Sequence, residues 1–129
     1  MTGAEPVILS VVIPAHNEEA YIGKCLQSIR RAAEHLLPAS VEIIVVCSRC
    51  TDRTAEIAER FGARVPTNDE KCISAIRSTG IRAARGEIVV TIDADSVMTE
   101  YALLEVREET AFPEAFQLSE NHRNRLVKQ

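Results

Sequence analysis

An α/β fold, with a mainly parallel sheet and helices on both of its faces, is what this 129-residue sequence predicts. Three observations carry the prediction. Short runs rich in Val and Ile recur along the chain without the polar alternation of a half-exposed strand. Amphipathic helical patterns alternate with these runs, and the connections between them are short. Together they read as β-α-β-α-β-α-β, and parallel neighbours in such a series are joined by right-handed crossovers.

Residues 7–13 are nearly all apolar and β-branched, and Pro14 closes them as a buried strand. A polar turn, Ala-His-Asn-Glu-Glu, follows at 15–19, with Asn17 placed to cap the next helix. That helix is expected over 18–37, with Ile22, Leu26, Ile29, Ala33 and Leu36 on one face and Pro38 as its stop. A second buried strand covers 41–46. It runs into Cys-Ser-Arg-Cys-Thr-Asp-Arg-Thr, in which Thr51 or Asp52 is a good cap for a helix over 54–61 that stops at Gly62. A short third strand is expected at 63–65, broken by Pro66. The next helix spans 70–84, with Ile73, Ile76 and Ile81 facing the core and Gly80 marking a close approach. Gly86 ends that helix and leads into a fourth strand at 88–92. A last helix is expected at 99–109, with Leu103, Leu104 and Val106 available for packing. Residues 1–106 therefore read as one domain and 107–129 as a solvated tail.

The fourth strand stops on Asp93 and Asp95. In extended chain these carboxylates share a face about 7 Å apart. If the chain turns there, both reach one hard cation such as Mg²⁺ or Mn²⁺, which bridges to nucleotide phosphates. The alternative is that Asp-Ala-Asp-Ser only ends a strand and caps a helix.

Composition narrows the partners. A net charge of −4 with three scattered His argues against nucleic acid. No apolar run is long enough to cross a bilayer, and the amino terminus lacks a signal-peptide pattern, so the expected location is cytoplasmic, with peripheral membrane attachment left open. The four Cys are then expected reduced. Ligands of parallel sheets bind at the carboxyl ends of the strands. Along that edge lie residues 14–19, 47–52, 66–70 and 93–95, with Lys71 and Arg77 as nearby cations, a set that suits a nucleoside diphosphate.

Four motifs in order resemble the family 2 glycosyltransferases with the Rossmann-like GT-A fold, over about residues 8–98. They are Val11-Val-Ile-Pro-Ala-His-Asn-Glu-Glu, Thr51-Asp-Arg-Thr, the Arg77…Gly80 pair before Ala83-Ala-Arg-Gly, and Ile92-Asp-Ala-Asp. The resemblance implies transfer of a sugar from a UDP- or GDP-linked donor to an unknown acceptor, with Mg²⁺ or Mn²⁺. It implies that Pro14, Ala15, Asn17 and Glu18 line the nucleoside pocket and that Cys47 lies against the base. Arg77 then reaches the base or diphosphate, Asp93 the ribose and metal, and Asp95 the metal.

Two departures stand out. The family commonly has Asp where this chain has Cys47, and a neutral thiol is a poor acceptor, so base preference is expected to change. Only about thirty residues follow the Asp-Ala-Asp strand, and they do not resemble the family's acceptor half, which leaves the general base unassigned. Three alternatives follow: a non-catalytic nucleotide-sugar-binding or partner-docking module, a thiol redox protein, and a zinc site. The first accords with an open sheet edge that invites self-association. The second uses Cys47 and Cys50 at a helix start, with Pro66 in the place of a cis-proline loop. The third draws on Cys47, Cys50 and two of Cys25, Cys72 and His16.

Overall fold

The computed structural model describes residues 7–110. Seven elements follow one another: β1 (Val7–Ala15), α1 (Ile22–Glu34), β2 (Ser40–Cys47), α2 (Thr54–Arg60), α3 (Ile73–Ala83), β3 (Ile88–Thr91) and α4 (Ala102–Thr110). The strands form a sheet in the order β2-β1-β3, and both pairings are parallel. β1, the most apolar run in the chain, is the centre.

Its side chains divide between two cores by the period of two that a strand imposes. Leu9, Val11, Ile13 and Ala15 enter the larger core, with Ile22, Leu26 and Ile29 of α1, Ala58 of α2, and Leu103 and Val106 of α4. Val12 enters the smaller core on the opposite face, with Ile44 and Val46 of β2 and Ile76 of α3. Helices therefore cover both faces, as the alternating pattern requires. No helix among the described residues is long and apolar enough to cross a membrane.

The expected third strand is present only as pairing. Residues 63–67 lie parallel along the outer edge of β2 through isolated bridges at Ile44–Arg64 and Cys47–Thr67. Arg64 N–H donates to Ile43 O and Asn68 N–H to Cys47 O, at 3.0 and 3.1 Å. Pro66 falls between these two donors and has no N–H, so the ladder has a gap where a continuous strand would form.

Helix boundaries moved for local reasons. α1 begins at Ile22 instead of Glu18 because 18–21 forms a turn in which Glu18 O accepts the N–H groups of Tyr21 and Ile22. α3 begins at Ile73 instead of Glu70, since the Asn68 side chain takes the Glu70 N–H at 2.9 Å. The expected core face of α3 is also corrected. Ile76 is buried, but Ile73 and Ile81 are 51% and 46% exposed. The face is set by Gly80, whose missing side chain lets α3 sit directly on Val12 and on Val46, 2.9 Å from where a Cβ would be. Ile73 and Ile81 then lie on a neighbouring stripe with Arg77 between them, at four-residue steps. α4 spans Ala102–Thr110, where a helix over 99–109 was expected. The rest of the expected tail, 111–129, lies outside the described residues.

At the amino-terminal ends of the strands, polar groups are paired in one network. Ser10 Oγ accepts from Gly86 N–H at 2.8 Å and donates to Glu42, which also accepts from Arg64 Nη2 at 2.8 Å and from the Arg85 N–H. Burial pushes the Glu42 carboxyl up, but the hydrogen bonds from Ser10, Arg85 and Arg64 outweigh it and hold it below its ordinary range. Gly86 fits because it has no side chain: a Cβ there would sit 2.8 Å from the Leu9 carbonyl carbon and the Ser10 nitrogen. Backbone atoms cannot yield as a side chain can. Gly86→Ala is therefore expected to destabilise the fold by about 1–3 kcal/mol, as overpacking does. Urea unfolding checks this; an unchanged midpoint would show that β1 and the turn before β3 do not depend on this contact.

Candidate functional site

The carboxyl ends of β1, β2 and β3 hold most of the residues that the sequence singled out. Pro14 and Ala15 close β1 and are buried, so they shape the floor rather than offer side-chain chemistry. His16 is exposed, and its Nδ1–H donates to Ser48 O at 2.7 Å, tying the loop after β1 to the loop after β2.

Asn17 does not cap α1. Its backbone takes a left-handed φ of 52°, a conformation that Asn tolerates better than most residues. Its Oδ1 accepts from Thr51 N–H at 2.7 Å and Asp52 N–H at 3.3 Å, while its own N–H donates to Cys50 Sγ at 3.4 Å. The side chain is a clamp between loops. Asp52 continues the same seam: Oδ1 accepts from Thr54 N–H at 3.0 Å in a turn just ahead of α2, whose N-cap position falls on Arg53 instead of the expected Thr51 or Asp52, and Oδ2 accepts from Glu19 N–H at 3.1 Å. Burial raises the Asp52 carboxyl slightly, and the Thr54 and Glu19 donors more than reverse it, leaving its pKa lowered.

Glu18 lies nearer the middle, its N–H donating to Thr54 Oγ1 at 2.9 Å. Its pKa is raised, first by burial, then by the negative charge of Asp95, with smaller contributions from Asp52 and Asp93; His16 opposes them. Glu18, Asp93 and Asp95 thus share one electrostatic environment. Beyond β3, the chain turns: Ser96 N–H returns to Asp93 O at 3.0 Å, so the two aspartates flank a bend rather than lie along an extended strand. The bend is fastened to α1 from below. The Cys25 thiol donates to Asp93 O at 3.7 Å, and Met98 N–H to Ser28 Oγ at 2.9 Å.

Arg77 reaches across from α3, with Nη2 3.2 Å from Asp93 Oδ1. Its Nε is buried without a hydrogen-bond partner. A buried donor left unpaired is costly. Asp95 is exposed. No cluster of three or more His, Cys, Asp or Glu able to hold a metal occurs among the described residues. Two carboxylates do suit Mg²⁺ or Mn²⁺, because such ions commonly take one or two protein carboxylates and complete their shell with water and substrate phosphates.

The chain is matched by the model of glycosyl transferase family 2 over residues 10–116. It belongs to this family. An undecaprenyl-phosphate 4-deoxy-4-formamido-L-arabinose transferase of Pseudomonas paraeruginosa is 37% identical over 95 residues, which is 68% of this chain and 28% of that protein. Glucosyl-3-phosphoglycerate synthase from Mycobacterium tuberculosis, solved with Mn²⁺, uridine diphosphate and glucosyl-3-phosphoglycerate, is 31% identical. It superposes with a TM-score of 0.63, over 76% of this chain and 37% of that one. TarS of S. aureus shares the fold, with a TM-score of 0.70 at 23% identity over 81% of this chain and 32% of its own. The chain therefore spans roughly a third of the length of these relatives.

Within this family member the cysteine alternatives find no support. Cys47 is buried, and burial together with Cys50 pushes its thiol up to about 12, opposite to the activation a redox pair needs. Cys50 donates to Ala15 O at 3.6 Å as part of the loop seam. The cis peptide bond among the described residues precedes Pro38, not Pro66. Cys25 lies under Asp93, with its thiol also pushed up to about 12 by burial, and Cys72 is exposed at the start of α3, so the zinc set does not assemble.

Three functional contacts escaped sequence reading. The His16–Ser48 bond and the Cys25 and Ser28 supports depend on which residues the fold places face to face. Arg49, with a left-handed φ of 52°, left no signal because Arg has no preference for that conformation. The thiols give a direct check. Cys72, whose pKa its Ser74 hydrogen bond lowers, is expected to alkylate first at neutral pH. Cys25 and Cys47 are expected to react only after denaturation. Mass spectrometry of iodoacetamide-treated protein reads the order, and early labelling of Cys47 would revive the redox alternative.

Proposed function

We propose that this chain forms the nucleotide-binding half of a metal-dependent glycosyltransferase, taking a UDP- or GDP-linked sugar at the carboxyl edge of its sheet. The observation that carries the reading is the meeting of Asp93, Asp95 and Glu18 with an Arg77 whose buried Nε lacks a partner. Carboxylates alone would repel a diphosphate. Beside a cation and an arginine they hold one, and the relative solved with Mn²⁺ and uridine diphosphate supports that assignment.

In this reading Asp93 and Asp95 hold Mg²⁺ or Mn²⁺, and the ion offsets the charge that grows on the departing diphosphate. Arg77 contributes a charge-assisted hydrogen bond from Nε to a phosphate oxygen while Nη2 orients Asp93. Pro14 and Ala15 form the floor under the nucleoside. Asn17, Asp52 and His16 keep two loops together around it, so little ordering remains to be done on binding.

Calorimetric titration with UDP and GDP is expected to show binding that Mn²⁺ strengthens, and Asp95→Asn is expected to lower the metal-dependent affinity by roughly tenfold, ~1.4 kcal/mol, or more. Binding that ignores both Mn²⁺ and the substitution would contradict the assignment of the aspartates.

A further inference from the structure

We propose that Arg49 selects the base of the bound nucleotide, its guanidinium reading the adjacent O6 and N7 acceptors of a guanine. The proposal rests on the nucleotide reading above and narrows its donor to a guanosine diphosphate sugar.

Arg49 sits in the loop that follows β2, with φ at 52°, a region that a long, unbranched side chain without a local hydrogen bond to its own backbone seldom occupies. The conformation is imposed from both sides. Ser48 O accepts from His16 at 2.7 Å, Ser48 Oγ donates to Glu70 O at 2.8 Å, and the Arg49 N–H donates to Asp69 Oδ1 at 3.3 Å. On the other side, Cys50 Sγ takes the Asn17 N–H at 3.4 Å. Glycine would occupy this corner without strain. Instead the loop carries a cation, exposed, and among the described residues its guanidinium makes no hydrogen bond or ion pair. Asp69 takes the Arg49 backbone N–H.

The sheet order puts this cation where a base would fall. β2 and β3 are both neighbours of β1, so their ends are about 10 Å apart at ordinary strand spacing. A nucleotide with its diphosphate at Arg77 and the aspartates extends across the end of β1, and its base arrives at the end of β2. There Cys47 is buried and its thiol stays protonated, so the strand end offers no anionic acceptor for a base N–H. Arg49 supplies donors. Two parallel N–H groups match the neighbouring O6 and N7 of guanine. Uracil separates its two carbonyls by an N–H donor and has no such adjacent pair.

The test is calorimetric titration of the full chain, with Mn²⁺, using GDP and UDP against the unsubstituted protein, Arg49→Ala and Arg49→Gly. GDP is expected to bind the unsubstituted chain more tightly than UDP. Both variants are expected to lose roughly ten- to hundredfold in GDP affinity, with UDP affinity unchanged. Arg49→Gly is also expected to raise the thermal unfolding midpoint by removing the strained conformation, so its weaker binding would not reflect a damaged fold. Equal losses for GDP and UDP would place Arg49 on the phosphates and overturn the proposal, as would unchanged GDP binding or a preference for UDP. If the unsubstituted chain binds neither nucleotide, the nucleotide reading itself fails and takes this proposal with it.

Discussion

β1 carries the structure because it is paired on both edges and buried on both faces. Val11 and Val12, adjacent in sequence, belong to different cores. Along the strand β2 hydrogen-bonds on one side and β3 on the other, so a one-residue shift in its register would exchange the two cores. Two glycines permit that arrangement. Gly80 lets α3 lie against Val12 and Val46, and Gly86 lets the chain pass the backbone of Leu9 and Ser10 before entering β3. The network around Glu42 satisfies the polar groups that this close approach would otherwise strand.

That scaffold makes one edge chemically distinct. The loops after β1 and β2 are joined by the His16–Ser48, Asn17–Thr51 and Glu19–Asp52 hydrogen bonds, and the bend after β3 is joined to α1 by Cys25 and Ser28. Ordering has been done in advance of any ligand. The raised pKa of Glu18 records burial first and the nearby Asp95 charge second, and the unpaired Arg77 Nε records a desolvation cost of its own. Features that weaken a fold and recur along one strand edge support the proposed binding role.

Much of this was legible in the chain itself. The strands of β1, β2 and β3 declare themselves by runs rich in Val and Ile, and Gly80 correctly marked a close approach inside a helix. Asp93 and Asp95 could be placed at a strand end from pattern alone. What failed had identifiable causes. A missing donor at Pro66 turned a strand into isolated bridges, a fact about pairing that propensity does not encode. Ile73 and Ile81 looked like core because they are apolar, but Gly80 fixes which side of α3 meets the sheet. Asn17 reads locally as a helix cap, and only the neighbouring loop shows where its oxygen goes. The Cys47–Cys50 spacing suggests redox chemistry until burial of Cys47 is known.

The central claim is that the carboxyl edge, and no other part of the chain, holds a nucleoside diphosphate through a divalent cation. Amide correlation spectra of the isotopically labelled full chain, recorded with nucleotide and a trace of paramagnetic Mn²⁺, address it most directly. The account predicts nucleotide-dependent broadening that is strongest at residues 93–96 and next at 16–18. A depression of about 500 Å³ at the far end of the sheet, lined in part by Arg30, Leu37 and Val41, should be unaffected. Broadening centred on that depression, or broadening indifferent to nucleotide, would contradict it.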